Sequence, residues 1–207
     1  MLDNKVILIG YSGHAYVVAD VAFENKLNII GYTENSKKEN NPFQLNYIGN
    51  EFDEGFFDRN TDVKFIIGIG ENKIREKIYN FISSKNREIF TLISRNASIS
   101  NTATLGNGIF VNKNVSVNAF AIIGNNVILN TGCIVEHECI ISESVHIAPG
   151  AVLAGGVTIG EHSFIGANSV IKQGVKIGKN VVVGAGTVVI NDIPDNKKVV
   201  GNPSRFI

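Results

Sequence analysis

A six-residue repeat runs through the C-terminal half of the chain and limits its fold more than any other feature. Every sixth residue from position 99 to position 189 is aliphatic, and no insertion breaks the register. These residues are Ile99, Leu105, Val111, Val117, Ile123, Leu129, Val135, Ile141, Ile147, Leu153, Ile159, Ile165, Ile171, Ile177, Val183 and Val189. The residue four places after each of them is small or apolar, with serine or threonine at three positions. Such regularity predicts many similar short elements stacked on one another.

A period of six fits neither an α-helix nor a plain alternating strand. It fits a short strand with two inward residues, two positions apart, followed by a corner. Each such unit is one face of a parallel β-helix, and it buries its apolar side only by stacking on its neighbours. Three faces to a coil predict a triangular prism of about five coils, roughly 25 Å tall at the usual strand spacing. We assign this β-helix to residues 96–207.

The N-terminal third alternates apolar strands with amphipathic helices, which predicts a Rossmann-like parallel α/β sheet over residues 1–95. Strands are expected at 5–9, 28–32, 64–69 and 88–92, and helices at about 14–25 and 72–84. The turn Gly10-Tyr11-Ser12-Gly13-His14 follows the first strand, where backbone N–H groups could hold phosphate. A plain strand-to-helix turn explains it equally well. The dinucleotide fingerprint would place glycines at Ser12 and Ala15, so NAD is disfavoured.

Two of the four histidines lie close together in the repeat. His137 takes a corner position and His146 an outward strand position one face later, so neither points into the core. Glu138 could fix the tautomer of His137 and raise its basicity. A general base and a solvated surface histidine both fit this spacing. His162, at another corner, is expected to be a surface residue.

The two cysteines, Cys133 and Cys139, fall in the inward register. A thiol there would be buried, protonated and inert, which disfavours an acyl-enzyme. No CxxC pair or other zinc motif is present, so no metal is expected.

The segment 136–155, the motifs GYSGH and GIGENKIR and the closing Gly201-Asn202-Pro203 closely resemble the NeuD/PglD-type family of sialic-acid O-acetyltransferases and bacillosamine-pathway sugar N-acetyltransferases. The resemblance covers essentially the whole chain. It implies a left-handed β-helix and a homotrimer that binds acetyl-CoA in grooves between subunits.

The resemblance also implies roles for individual residues. His137 would be the general base and Glu138 its support. Acetyl-CoA would contact His146, Gly155, Ala167, Ala185, Gly201 and Pro203. The nucleotide sugar would contact Ser12, Gly13, His14, Glu34, Asn35 and Gly70. The family often has two aspartates where this chain has Glu34 and Asn35.

The expected function is acetyl-CoA-dependent N-acetylation of a nucleotide-linked amino sugar. The resemblance favours a UDP-4-amino-4,6-dideoxy sugar, direct transfer with a histidine base, and a role in making sugars for cell-surface glycans or glycoproteins. A sialic acid O-acetyltransferase is the first alternative. More distant alternatives are a trimeric metal hydratase of the γ-type carbonic anhydrase kind, which needs three converging histidines, and a non-catalytic nucleotide-sugar binder.

Charge and composition exclude other classes of protein. Nineteen basic residues balance nineteen acidic ones, so no nucleic-acid or membrane-surface partner is expected. Apolar runs are too short for a transmembrane helix, and the first residues do not resemble a signal peptide. With two cysteines and no such signal, a cytoplasmic location is expected.

Overall fold

The chain divides into two compact units, 1–92 and 93–207, and the computed structural model describes residues 5–207 of them. This division falls three residues before the boundary expected from the sequence. The expected order of an α/β unit followed by a β-helix is confirmed.

The N-terminal unit is a three-stranded parallel sheet, in the order β2-β1-β3, with helices between the strands. Its elements are β1 (Lys5–Ile9), α1 (His14–Glu24), β2 (Asn28–Thr33), α2 (Phe56–Arg59), β3 (Lys64–Ile67) and α3 (Asn72–Ser84). The four apolar residues of β1 are buried because the central strand is covered on both faces.

The expected strand at 88–92 was wrong. Within the described residues, this segment makes a single bridge between Ile89 and Phe65, and Leu92 already belongs to the β-helix. The chain leaves the sheet after Phe90, so the apolar residues there do not extend the pairing.

The C-terminal unit is built of short strands that wind into a parallel β-helix. They are β4 (Leu92–Ile93), β5 (Ser98–Ile99), β6 (Thr104–Leu105), β7 (Phe110–Val111), β8 (Ser116–Val117), β9 (Ile122–Ile123), β10 (Ile128–Leu129), β11 (Ile134–Val135), β12 (Ile140–Ile141), β13 (His146–Ile147), β14 (Val152–Leu153), β15 (Thr158–Ile159), β16 (Phe164–Ile165), β17 (Val170–Ile171), β18 (Lys176–Ile177), β19 (Val182–Val183), β20 (Val188–Val189), β21 (Lys198–Val200) and β22 (Arg205–Phe206).

Three sheets form the faces of the prism in residues 92–207. The eight-stranded face has the order β22-β21-β19-β16-β13-β10-β7-β4, the six-stranded face β20-β17-β14-β11-β8-β5, and the five-stranded face β18-β15-β12-β9-β6. Strands β4 to β21, three to a coil, make six coils, one more than expected. Strand β22 closes one end by pairing antiparallel with β21.

The core of the β-helix follows the sequence register. Every expected inward residue from Ile109 to Ile193 is buried, and Ile99, Ala103 and Leu105 near the end of the stack are partly buried. From β5 to β20, strands of the same face pair at a spacing of 18 residues, as Leu129 does with Ile147, and β21 pairs 16 residues after β19. Residues at the same position of successive coils are therefore stacked, and this stacking positions the candidate site.

Candidate functional site

A pocket of about 430 Å³ lies at the carboxyl ends of β1, β2 and β3 in the N-terminal unit. This edge is where open parallel sheets bind ligands. Five of the six residues expected to contact the nucleotide sugar line it: Ser12, His14, Glu34, Asn35 and Gly70. The sixth, Gly13, is the residue before α1, with φ of 34°.

Two helices begin at this pocket and differ in how their first turns are capped. The Glu71 carboxylate accepts a hydrogen bond from the Ile74 N–H at the start of α3, at 2.7 Å. Among the described residues, no side chain caps α1 after Gly13. Because a helix N-terminus carries partial positive charge, the start of α1 can receive a phosphate.

His14 enters the pocket as a neutral imidazole. Burial and the nearby Arg75 guanidinium lower the pKa of His14 to about 4. Arg75 is 2% exposed and donates to the Gly70 carbonyl and to Asn72 Oδ1, each at 3.0 Å. Burial lowers the pKa of Arg75 to about 10, so it remains a cation at neutral pH. Arg75 therefore carries a positive charge close to His14, although Arg75 itself does not line the pocket.

Glu34 follows β2 directly and holds the glycine turn in place. Its Oε1 accepts a hydrogen bond from the Tyr11 N–H at 3.0 Å and lies 3.3 Å from Lys38 Nζ. Acidic residues after the second strand commonly bind ribose hydroxyls in Rossmann-like folds. Glu34 holds the corresponding place directly after β2 and lines the pocket.

In the β-helix, His137 and Glu138 form an exposed pair at the corner between β11 and β12. Nδ1 of His137 lies 3.1 Å from Oε2 of Glu138, and the two side chains are 52% and 69% exposed. Glu138 has a left-handed backbone with φ of 58°. This turn places its carboxylate beside the ring, where it fixes Nδ1 as the protonated nitrogen and leaves Nε2 to accept a proton.

Gly155 is stacked on His137 one coil further along. A Cβ atom at Gly155 would lie 2.4 Å from His137 Cε1 and 2.5 Å from Nε2. The two neighbouring coils carry Ala119 and Gln173 at the same place, so only the coil that covers the imidazole has glycine. The glycine therefore provides the space that the ring occupies.

His146 lies at an outward strand position, as expected, but it is only 7% exposed. Its ring packs edge-on against Phe164 at 5.1 Å, and Nε2 lies 3.2 Å from Asn130 Nδ2. Oδ1 of Asn130 accepts hydrogen bonds from Asn112 and from the Thr131 N–H, which fixes the amide orientation. The amide thus donates to Nε2 of the neutral ring.

Three of the residues expected in the CoA groove are stacked in one column. Register between β16, β19 and β21 places Ala167, Ala185 and Gly201 above one another at the corner that follows the eight-stranded face. Pro203 lies in the turn between β21 and β22. His146, in β13, belongs to the same face.

The expected site residues of the β-helix therefore fall into two groups within one chain. His137, Glu138 and Gly155 lie at the corner between the six- and five-stranded faces. His146, Ala167, Ala185 and Gly201 lie on or beside the eight-stranded face, and the whole of β12 separates His137 from His146 along the chain.

Comparison with known proteins identifies the family. Residues 5–82 match the model of the PglD N-terminal domain, and residues 156–190 match that of the hexapeptide repeat of succinyl-transferase. The acetyltransferase domain of PglB from Neisseria gonorrhoeae FA1090 is 30% identical, with 99% of this chain and 100% of that chain aligned and a TM-score of 0.90. The chain belongs to the NeuD/PglD-type acetyltransferase family.

Two further structures extend the comparison of this acetyltransferase. PerB from Caulobacter crescentus, crystallised with CoA and GDP-perosamine, is 29% identical, covering 98% of this chain and 97% of that one with a TM-score of 0.92. WeeI from Acinetobacter baumannii AYE shares the fold. It is 23% identical, with 98% of this chain and 99% of that chain aligned and a TM-score of 0.87. Comparison with curated protein sequences gives no significant match.

Both cysteines of the acetyltransferase are buried in the core of the β-helix, as expected. Burial raises the pKa of the Cys133 thiol to about 12 and also raises that of Cys139. The Cys139 thiol donates to the Ala154 carbonyl at 3.2 Å. Neither sulfur presents a thiolate to a substrate, so the geometry favours direct acetyl transfer.

The described residues offer neither a metal site nor a membrane-spanning helix. In residues 5–207, no set of three or more His, Cys, Asp or Glu side chains is arranged to hold a metal ion. Across the same residues, none of the helices has the length and apolarity to span a bilayer.

The sequence did not indicate every residue that lines the N-terminal pocket. Thr33, Asn50, Glu51 and Phe52 also line it. Thr33 is the last residue of a strand that was predicted, and its position before Glu34 was a usable signal. The other three lie in a turn with no local motif, and they reach the pocket only because the chain folds back on the end of β2.

Proposed function

We propose that this acetyltransferase transfers the acetyl group of acetyl-CoA to the amino group of a nucleotide-linked amino sugar. The observation that carries the proposal is the His137–Glu138 pair, held at a corner under Gly155. The relatives support it, since PerB was crystallised with CoA and GDP-perosamine and the PglB domain with acetyl coenzyme A. A related structure is a perosamine N-acetyltransferase variant in which one histidine is asparagine.

The N-terminal pocket is the proposed nucleotide site. The uncapped start of α1 and the Arg75 cation near His14 favour a diphosphate, and Glu34, which lines the pocket directly after β2, is available to a ribose. A 4-amino-4,6-dideoxy sugar, as the resemblance implies, remains the expected glycosyl group.

In the proposed reaction, His137 Nε2 takes a proton from the sugar amine as the nitrogen attacks the thioester carbonyl carbon. Glu138 holds the ring and stabilises the imidazolium. The N–H of Gly155 makes no hydrogen bond in residues 5–207, so it can donate to the oxyanion. The C–N bond forms, the C–S bond breaks, and the imidazolium returns the proton to the CoA sulfur.

The proposed assembly is a homotrimer with each active site shared by two subunits. Apolar side chains are exposed on both faces that meet at the His137 corner: Ile122 and Ile140 are 49% and 45% exposed on the five-stranded face, and Val170 is 40% exposed on the six-stranded face. A second subunit would cover them. Its eight-stranded face would bring a His146 to the His137 corner, which one chain alone does not achieve.

Shared sites predict that two inactive variants complement each other. Chains carrying His137→Ala and chains carrying His146→Ala should each be slow alone. Coexpressed, they should regain up to about a quarter of wild-type activity, because that fraction of seams would combine two native histidines. Thiol release by the purified mixture measures this. Activity of the coexpressed mixture no higher than the mean of the two variants would contradict an active site shared by two subunits.

A substrate panel tests the reaction itself. We expect acetyl-CoA to release its thiol in the presence of a nucleoside-diphosphate 4-amino sugar. The mass of the sugar product should increase by one acetyl group, attached at the amino nitrogen. Transfer to a sialic acid hydroxyl instead would establish the O-acetyltransferase alternative. Nucleotide-sugar binding with no thiol release from any acceptor would indicate a non-catalytic binder. Matched deoxy sugars that lack the amine serve as the control.

A further inference from the structure

The nucleotide pocket contains a carboxylate that the fold does not use. Glu51 lines the pocket and is only 6% exposed. Among the described residues, none forms a hydrogen bond or ion pair with its carboxylate, and the carboxylate oxygens are not among the enclosed side-chain atoms. A carboxylate that lines a pocket without a protein partner is available to a ligand that brings hydrogen-bond donors.

The turn that carries Glu51 is stabilised without it. Asn50 N–H donates to Asp53 Oδ2, and Phe52 N–H donates to Asn50 Oδ1, both at 2.9 Å. Asn50 Nδ2 also donates to Asn35 Oδ1 at 3.0 Å, which fastens the turn to the end of β2. The structure therefore holds the Glu51 backbone in place while its side chain is left for the pocket.

The rest of the pocket wall is poor in donors. Residues lining it include no lysine or arginine, and His14 is neutral. The Thr33 hydroxyl is fully buried in this wall and has no hydrogen-bond partner among the described residues. Glu71 is engaged at the start of α3. Glu51 and Thr33 thus both line this pocket with polar groups that have no bonding partner among the described residues.

Each part of an amino-sugar nucleotide can be compared with what Glu51 lacks, which is a partner that donates hydrogen bonds to its carboxylate. The diphosphate is anionic and would be repelled by Glu51. A ribose is matched by Glu34 after β2. The sugar amine must lose its proton before it attacks, and a carboxylate would keep it charged. The nucleobase remains, and Phe52 and Ile74, 44% and 52% exposed, offer it apolar surface in the same pocket.

We propose that Glu51 recognises the nucleobase and that this base is guanine. Guanine presents two adjacent donors, N1–H and N2–H, which match the two oxygens of a carboxylate. Uracil and thymine present one N–H between two carbonyl oxygens, which a carboxylate repels. The inference rests on the proposed function and replaces the uridine nucleotide that the resemblance implies.

Calorimetric titration of the full-length protein with GDP and UDP tests the inference. The wild type should bind GDP about 10- to 100-fold more tightly, the range of a charge-assisted hydrogen bond. Glu51→Gln should weaken GDP and strengthen UDP, since an amide offers one acceptor and one donor to uracil N3–H and O4. Glu54→Gln, an exposed change in the same turn, is the matched control and should alter neither affinity.

Several outcomes would overturn the inference. Equal or tighter binding of UDP by the wild type would do so, as would an equal loss of GDP and UDP affinity in Glu51→Gln. If the protein still transfers acetyl groups to an amino-sugar nucleotide in those cases, the proposed function is retained and only the guanine inference is lost. Failure of the wild type to bind either nucleotide would overturn both. Should Glu51→Gln not fold, the wild-type preference between GDP and UDP decides the question.

Discussion

Replacing His137 with alanine should lower the turnover of acetyl transfer by about 10²- to 10⁴-fold, the usual contribution of a general base. The imidazole is exposed at a corner, so its removal opens no cavity in the core. The variant should therefore keep the wild-type melting temperature and CoA affinity. Thiol release at saturating substrate, thermal denaturation and calorimetric titration with CoA measure the three quantities.

Two further variants make this result specific. His162→Ala removes another corner histidine and should leave turnover unchanged. Glu138→Gln keeps the shape of the pair but removes its charge, so an intermediate loss is expected because the exposed carboxylate is partly screened by solvent. Some rate should survive in His137→Ala, since binding alone still brings the two substrates together. If the His137→Ala variant kept the wild-type turnover, His137 would not be the general base.

The β-helix could be predicted because the sequence pattern that specifies its inward residues is short and repeats along the chain. An inward residue such as Leu129 is specified by the same rule as Ile147, the residue stacked on it. The sixth coil is completed by β4 and β21, which flank the run of strands from position 99 to position 189. In β4, Ile93 continues the six-residue spacing and packs against the core, whereas β21 breaks the spacing by pairing only 16 residues after β19.

The candidate site was predictable only where a motif carried it. The glycine turn and the His137–Glu138 pair are each contiguous in sequence, and they lie after the first strand and at a corner of the β-helix, the positions that their motifs predict. The burial of His146 depends on Asn130 and Phe164, which are distant in sequence and adjacent only after coiling. Glu51 depends on a turn fastened to Asn35. Contacts of this kind leave no periodic signal.

A methyl group at position 155 should be nearly as harmful as loss of the histidine. In Gly155→Ala the new Cβ would meet His137 Cε1 at 2.4 Å, so the imidazole must swing away from Glu138. A displacement of about 1 Å at a reacting group can cost about 100-fold in rate, and we expect a loss of that size in turnover. The fold should remain intact because Ala119 and Gln173 occupy the same corner in adjacent coils.

A double-mutant cycle distinguishes displacement of the ring from any other effect of the methyl group. If the methyl acts by moving the imidazole, Gly155→Ala should change turnover little in a chain that already carries His137→Ala, because no ring remains to displace. Gln173→Ala, one coil further along, is the matched control and should be active. An equal loss in both backgrounds would show that the methyl acts independently of His137, for example by blocking the thioester or the Gly155 N–H.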